Sequence, residues 1–217
     1  GISWQLLNVA ATGNSLKTVL YFNASNIQVF DDAGKVFLSQ DGGQSFNLHF
    51  SNPFPNKVNY SSHNGAGNAI FCGDNGLIAT SSDYGTNWQV FNIYSSEKLV
   101  YCKVNSPGNF QVISASGIVF TSTDNGLGWV AADLKLKMPL SNIVVLEDGR
   151  LLSAGIDGNI TVIEPDLNTN SSINFIFQNG FKAVGNSGGN SAIAVGYSGL
   201  CVLIKAKSSN VNDGWHL

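Results

Sequence analysis

Charge is scarce in this chain. Lys, Arg, Asp and Glu account for 12% of its 217 residues, the formal net charge is −3, and Arg150 is the single arginine. Proteins that bind nucleic acid cluster Lys and Arg on the contact face, so the composition predicts no nucleic-acid partner. The chain also lacks an apolar run of about 18–20 residues, the length that a membrane span requires, and we predict no membrane insertion.

Cysteine and histidine are equally sparse. The three cysteines, Cys72, Cys102 and Cys201, lie in apolar runs that read as strands. We predict that they are buried free thiols rather than a disulfide framework. The three histidines are scattered, without the spacing of metal ligands. The sequence therefore predicts no metal site, no cofactor and no catalytic residue.

Small polar residues are what the chain has in abundance. It contains 26 Asn, 25 Ser and 24 Gly, while 43% of its residues are hydrophobic. Asn, Ser and Gly favour tight turns, and helical periodicity is nowhere sustained. This composition predicts an all-β protein with many short strands and a sizeable core.

Five glycines recur at near-constant spacing. The intervals between them are 42, 41, 41 and 41 residues, and flanking β-branched runs and turn residues repeat with them. A repeat of about 40–45 residues suits one four-stranded blade of a propeller. We therefore predict a five-bladed β-propeller with four antiparallel strands in each blade. The five glycines are Gly34, Gly76, Gly117, Gly158 and Gly199.

The repeat also predicts how the chain is divided. We expect one domain over residues 1–217, with blades at about 18–50, 57–93, 98–132, 142–176 and 181–205. Trp4 and its neighbours resemble the end of a repeat, so we predict that residues 3–9 pair beside 200–205 as the outer strand of the fifth blade. The alternative is a piece of a larger propeller that another chain completes. Trp215 has no assigned role.

A second motif follows the first three repeat glycines. Its positions are Ser39, Asp41, Gly43 and Phe46 in the first copy, Ser81, Asp83, Gly85 and Trp88 in the second, and Ser122, Asp124, Gly126 and Trp129 in the third. These stretches resemble the Asp box, Ser-x-Asp-x-Gly-x-x-Trp, of the BNR-repeat propellers. That group includes sialidases, sortilin-type receptors and photosystem II assembly-factor-like proteins. The last two repeats depart from the pattern, with Pro165 and Ala206 at the aspartate position.

The resemblance implies a structural role for the boxes. Aspartate accepts backbone N–H groups within a turn, glycine permits a positive φ, and the aromatic ring packs between blades. Metal or substrate binding by the aspartates is the alternative. In the family, the boxes lie on the side of the ring away from the active site.

The opposite side of the predicted ring carries the candidate ligand residues. The turns between the second and third strands of the repeats contain four carboxylates that could bind a cation or hydrogen-bond a sugar. Three aromatic residues on nearby loops could stack on a sugar ring. Ordinary turn and loop stabilisation is the alternative for each of them. The candidates are Asp31, Asp32, Asp74, Asp157, Phe54, Tyr94 and Tyr197.

The resemblance also bears on catalysis. Sialidases of this group clamp the substrate carboxylate with three arginines, and this chain has only Arg150, in a predicted hairpin on the other face. We therefore predict that the protein is not an enzyme; another glycosidase, using Asp74 and Asp157, is a third hypothesis.

The leading hypothesis is a binding module for a glycan or a cell-surface receptor. The low charge and the Asn, Ser and Gly content resemble viral tail fibres and bacterial surface lectins, which favours an extracellular or virion-associated protein. Association with other chains of a larger assembly is compatible with that role. The alternative is a protein-docking assembly factor.

Overall fold

The structure is a computed structural model. It describes residues 5–7, 9, 13–50, 54, 56–93, 96–136, 139–155, 157–167, 170–174 and 180–205. In these ranges the chain forms nineteen β-strands arranged in five antiparallel sheets. Within each sheet the strands lie side by side in sequence order, so that each sheet is a simple meander.

The first two sheets have four strands each. The first contains β1 (Leu16–Asn23), β2 (Asn26–Asp31), β3 (Val36–Ser39) and β4 (Asn47–Phe50). The second contains β5 (Val58–His63), β6 (Ala69–Gly73), β7 (Leu77–Ser81) and β8 (Gln89–Asn92).

The remaining sheets repeat this plan. The third contains β9 (Leu99–Ser106), β10 (Asn109–Ser114), β11 (Ile118–Ser122) and β12 (Val130–Asp133). The fourth contains β13 (Asn142–Val145), β14 (Leu151–Ala154), β15 (Asn159–Ile163) and β16 (Asn170–Asn174). The fifth has three strands within the described residues: β17 (Phe181–Gly188), β18 (Ser191–Gly196) and β19 (Cys201–Lys205).

All five repeat glycines end the turn between the second and third strands of their sheets. Their φ angles lie between 71° and 92°, in the left-handed region that side chains other than glycine disfavour. At Gly76 the preceding residue, Asn75, also has a positive φ of 54°. Two successive residues with positive φ give the tight connection that suits the twist of a β-hairpin. The regular spacing of these glycines thus reflects a backbone requirement that recurs in every repeat.

By its internal contacts the chain divides into two compact units. The first comprises residues 1–114 and 120–131, and the second comprises residues 115–119 and 132–217. The core of the first unit includes Leu20, Phe30 and Phe71, all nearly inaccessible to solvent. The core of the second includes Leu152, Ile160 and Phe181. Each unit thus buries its own set of apolar side chains.

The prediction of an all-β fold is confirmed, because the described elements are strands joined by turns and two short 3₁₀ segments. The five sheets span residues 16–50, 58–92, 99–133, 142–174 and 181–205. Their assembly as five blades of one closed ring stays a prediction. The proposed closing segment, residues 3–9, lies partly outside the described residues. Ala206 and Trp215 lie outside them as well.

One sequence prediction about the cysteines needs correction. Cys72 and Cys102 are buried free thiols, but Cys201 is exposed. Cys201 begins β19, which pairs with β18 and is the last strand of its sheet in the described part of the chain. An apolar run therefore did not ensure burial of this side chain.

Among the described residues, no helix is long and apolar enough to cross a membrane.

Candidate functional site

The three predicted Asp-box turns share one set of hydrogen bonds. In the first, the Ser39 hydroxyl donates to Asp41 Oδ1 over 2.8 Å and accepts the Gly43 N–H over 2.8 Å. Asp41 Oδ1 also accepts the Ser45 N–H over 2.9 Å. The serine-to-aspartate bond is again 2.8 Å long in the other two turns, from Ser81 to Asp83 and from Ser122 to Asp124. In all three turns the aspartate stabilises its own loop.

These hydrogen bonds favour the ionised carboxylate. The Ser45 hydroxyl, followed by the Ser45 N–H, lowers the pKa of Asp41 to about 2. The Gly128 N–H and the Ser122 hydroxyl lower the pKa of Asp124. Burial raises the pKa of Asp83, but the hydrogen bonds from Asn87, Ser81 and Thr86 together outweigh that effect and the net shift is downward. Because their oxygens accept several donors within the turn, these carboxylates are poorly suited to hold a ligand.

Each of these turns is tied to another turn of the same sheet. The residue after the box aspartate donates its N–H to a carbonyl in the turn between the first two strands. The three bonds run from Gly42 to Ala24 (2.7 Å), from Tyr84 to Gly67 (2.9 Å) and from Asn125 to Gly108 (3.0 Å). The repeated turns at this end of the sheets therefore brace one another.

The box tryptophans differ in their partners. Trp129 Nε1 donates to the Gly126 carbonyl over 2.9 Å. The corresponding Gly85 carbonyl instead accepts Gln28 Nε2 from β2 over 3.1 Å. The buried N–H of Trp88 has no hydrogen-bond partner, and its ring packs on Phe71 with a centroid distance of 4.9 Å. The glycine carbonyl of the motif thus accepts a glutamine of the neighbouring sheet in one turn and the tryptophan of its own turn in another.

At the opposite end of the first two sheets lies a cleft of about 340 Å³. We call it the Asp32–Asp74 cleft, after the two carboxylates that line it, and its other lining residues include Phe54, Asn56, Lys57 and Asn75. The Asn75 side chain donates to Asn56 Oδ1 over 3.0 Å, and Asn59 Nδ2 donates to Asp74 Oδ1 over 2.8 Å. The cleft therefore combines amides, two carboxylates and one lysine. It joins three sequence-predicted candidates: Asp32, Asp74 and Phe54.

The other two candidate carboxylates have different surroundings. Asp31 is fully buried, and its carboxylate accepts the N–H groups of Ala33 (3.0 Å) and Lys35 (2.8 Å) and the side-chain amide of Asn14 (3.0 Å). This is the turn-stabilising alternative rather than an exposed acidic site. Asp157, in the second unit, is exposed and accepts the Asn159 N–H over 3.3 Å.

The aromatic candidates also separate. Phe54 is 2% exposed and packs edge-to-face on Phe71 at 4.3 Å between centroids, so its ring belongs to the core and offers no free face for a sugar. Tyr197 is 50% exposed, and Lys182 Nζ lies 4.0 Å from its ring centroid. Tyr94 lies outside the described residues.

Strand irregularities that the sequence analysis missed position some of these groups. The pairing of β5 with β6 slips between Val58 and Tyr60, which leaves Asn59 as an extra residue. The pairing of β17 with β18 slips in the same way at Lys182. A bulge redirects its side chain, and here Asn59 reaches Asp74 while Lys182 reaches Tyr197. Both contacts join residues 15 positions apart, in corresponding places of two repeats.

A second depression, which the sequence analysis also missed, lies beside the Asp-box turns of the second and third sheets. Its volume is about 540 Å³. We call it the amide groove, because four side-chain amides line it together with Trp88 and Phe110. The amide residues are Asn68, Asn87, Gln89 and Asn125. Isolated Asn and Gln residues in a turn-rich sequence give little signal, so only the folded chain reveals this grouping.

Comparison with solved structures identifies the fold as β-propeller-type. The chain is similar to YCF48 from Cyanidioschyzon merolae, with a TM-score of 0.75 and 14% identity over 93% of this chain and 69% of that one. It is also similar to a structure of YCF48 bound to D1 peptide, with a TM-score of 0.59 and 15% identity over 92% of this chain and 80% of that one. The chain is similar to the WD40 β-propeller domain of Doa1 as well, with a TM-score of 0.66 and 11% identity over 88% of this chain and 64% of that one.

Sequence comparison adds no family. No protein-family model matches the chain. No curated protein matches it either. At these identities the structural similarity establishes the fold alone.

Proposed function

We propose that this protein is a non-catalytic docking module that binds a peptide segment of a protein partner in the Asp32–Asp74 cleft. The observation that carries the proposal is the similarity to a YCF48 structure solved with a bound peptide. It favours the protein-docking alternative of the sequence analysis over glycan or receptor recognition on the same face. The Asp-box resemblance to assembly-factor-like proteins points in the same direction.

The chemistry of the cleft supports this choice. Asn56 and Asn75 hydrogen-bond to each other, and an amide pair also offers further donors and an acceptor, which is the complement of a peptide backbone. Lys57 offsets one of the two carboxylates, Asp32 and Asp74, so the lining keeps a single excess negative charge. A polar segment with few charges is therefore the partner that fits best.

Hydrolysis fits the cleft less well. A glycosidase needs one carboxylic acid with a raised pKa and a second carboxylate across the scissile bond. Asp74 Oδ1 already accepts a hydrogen bond from the Asn59 side chain, so this oxygen is committed to a contact within the protein. Asp157, the other candidate, is not among the residues that line the cleft.

Selection of peptides from a displayed random library against the full chain tests the proposal. The variant Ala33→Arg places a long side chain at an exposed turn position that lines the cleft. Ala66→Arg is the matched control, since Ala66 is an equally exposed turn alanine at the other end of the sheets. We expect selected peptides to lose about tenfold or more in affinity with Ala33→Arg and to change by less than about twofold with Ala66→Arg.

Two outcomes would count against docking at this cleft. One is the absence of any enriched peptide sequence. The other is equal binding by wild type and Ala33→Arg, provided that circular dichroism shows both to be folded.

A further inference from the structure

The amide groove is separate from the proposed docking cleft and has a different chemical character. It lies within the first unit, beside the Asp-box turn of the second sheet. Its volume of about 540 Å³ is within the usual range of small-molecule sites. Thr80, 6% exposed, and the buried Phe110 also line it, while Gln89 and Asn125 are exposed. Neutral donors and acceptors thus surround a partly aromatic lining.

The groove offers no available charge to a ligand. Its one charged lining residue is Asp83. Asp83 Oδ1 accepts the Ser81 hydroxyl and the Asn87 N–H, and Oδ2 accepts the Asn87 side chain over 2.7 Å. Because the turn uses both oxygens, the carboxylate is poorly placed to bind a cation or a basic side chain. A ligand of this groove is therefore expected to be neutral.

Trp88 adds an unmet polar requirement at the same place. It lines the groove and is half-buried, yet its indole N–H is buried without a hydrogen-bond partner. An unpartnered buried donor is energetically unfavourable. The equivalent Trp129 needs no such partner, because it donates to Gly126.

From this combination we infer that the amide groove binds a short neutral oligosaccharide. Each sugar hydroxyl both donates and accepts, as the carboxamides of Asn68, Gln89 and Asn125 do, and an apolar ring face can lie against Trp88. The Asp32–Asp74 cleft also carries carboxamides, but it combines them with Lys57 and two carboxylates, which suit the mixed polar groups of a peptide. The amide groove combines hydroxyl and amide groups with Trp88 and offers no available charge, which favours a neutral saccharide.

Binding of defined sugars to the full chain tests the inference. We would measure maltotriose, cellotriose, chitotriose and N-acetyllactosamine by saturation-transfer NMR and isothermal titration, with sialyllactose as the anionic comparison. At least one neutral trisaccharide or disaccharide should bind and alter the fluorescence of Trp88, the change disappearing in Trp88→Phe. Lactose is measured as the neutral counterpart of sialyllactose, and sialyllactose should bind no better than lactose.

The variant Thr80→Leu fills the groove with little risk to the fold. Thr80 pairs with Ile70 in the second sheet, as Leu38 pairs with Gln28 in the first, so leucine already occupies the equivalent position. We expect Thr80→Leu to weaken sugar binding by about tenfold, the effect of losing about one good hydrogen bond. Gln89→Ala, at an exposed position, should weaken it in the same direction and serves if Thr80→Leu folds poorly.

Ala33→Arg is the matched control, because it blocks the Asp32–Asp74 cleft and should leave sugar affinity within about twofold. This control separates failure of the sugar site from failure of the docking proposal. The inference is overturned if no neutral sugar binds, or if binding survives Thr80→Leu and Gln89→Ala unchanged. It is also overturned if selected peptides lose binding with Thr80→Leu rather than with Ala33→Arg, because the groove would then be the peptide site.

Discussion

The three Asp-box aspartates accept hydrogen bonds within their own turns. Asp41, Asp83 and Asp124 accept hydrogen bonds from the serine two residues before and from the N–H four residues after. A sequence pattern alone permits either turn stabilisation or ligand binding. The three matching hydrogen-bond sets favour the first role, which explains why the spacing of serine, aspartate and glycine is so uniform.

Acid should weaken these turns over a defined pH range. The pKa of Asp41 is about 2 in the folded protein, below the value of about 4 for an aspartate in the unfolded chain. The unfolded chain therefore takes up the proton first, and the stabilisation is complete above pH 4 and lost as pH falls toward 2. We expect Asp41→Asn to lower the melting temperature at pH 7 and to melt close to wild type at pH 2. A pH-independent difference between the two proteins would contradict this account.

Gly73 is required for space rather than for a special φ. A Cβ atom at this position would lie 2.0 Å from the Lys57 carbonyl oxygen, which accepts the Asp74 N–H. We expect Gly73→Ala to lower the free energy of unfolding by about 1–3 kcal/mol in urea titrations. Gly185→Ala is the control, since a Cβ there meets no atom within 4 Å. Equal stability of the two variants would show that the loop before β5 yields easily.

Two candidate residues show where sequence reasoning stops at this scale. Asp31 and Asp32 are adjacent acidic residues in one turn, yet Asp31 is fully buried while Asp32 lines a cleft. Phe54 was a loop aromatic in sequence, and its contact with Phe71 places it in the core. The burial of Phe54 depends on a side chain from the second sheet, and the Asp31 carboxylate is held by Asn14, 17 residues earlier; local pattern specifies neither contact.

Among elements, one buried glutamine of the first sheet hydrogen-bonds to the Asp-box turn of the second sheet. Gln28 is 1% exposed, and its Nε2 donates to the carbonyls of Tyr84 and Gly85, while its Oε1 has no partner. The equivalent residue of the second sheet is Ile70. Isoleucine has no side-chain donor. In the turn of the third sheet, the Gly126 carbonyl instead accepts the indole N–H of Trp129. Glutamine and tryptophan thus supply alternative donors to the same kind of carbonyl.

Exchanging the donor tests this relationship. We expect Gln28→Ile to let Trp88 donate to Gly85, so that the change in unfolding free energy stays below about 1 kcal/mol. Gln28→Ala removes the donor and leaves a cavity, and should cost about 2 kcal/mol or more. The Trp88 indole N–H resonance, assigned with Trp88→Phe, should shift and exchange more slowly in Gln28→Ile. An unchanged resonance would mean that the two donors are not alternatives.

The elements also show what the repeat could and could not predict. Turn residues and glycine spacing predict the meander of each sheet, because turn chemistry is local. The bulges at Asn59 and Lys182 leave no comparable pattern, since a bulge is one unpaired residue in otherwise ordinary strand sequence. The amide groove is missed for the same reason, because its residues meet only after the second and third sheets form.

For the whole molecule, the two compact units predict separate responses to core damage. Phe71 is fully buried in the core of the first unit, and Phe71→Ala should cost about 3–5 kcal/mol. We expect faster amide exchange, measured by mass spectrometry, in peptides from β1–β8, with little change in β13–β19. Leu152→Ala, in the second core, should give the reverse pattern. Accelerated exchange throughout the chain in both variants would instead indicate one cooperative unit.

The N-terminal segment bears on the prediction of a closed ring. A Cβ atom on Gly43 would lie 3.7 Å from Cδ1 of Leu7, and one on Gly126 would lie 2.9 Å from Cε2 of Phe91. Leu7 thus lies beside the first Asp-box turn. Phe91, in β8, lies beside the third Asp-box turn in the same way. This agrees with the similarity between the first residues and the end of a repeat. Pairing of residues 3–9 with 200–205 stays a prediction.

The donor exchange between Gln28 and Trp129 has a consequence for engineering by repetition. Averaging the repeats into one consensus unit would combine the glutamine of one repeat with the tryptophan of the next. Every copy would then carry two candidate donors for a single turn carbonyl, and a buried N–H or amide oxygen would be left over in each. Such an idealised array would repeat in every copy the unsatisfied groups that the structure shows at Gln28 and Trp88. A successful consensus must choose residues as coupled pairs across neighbouring copies, not position by position.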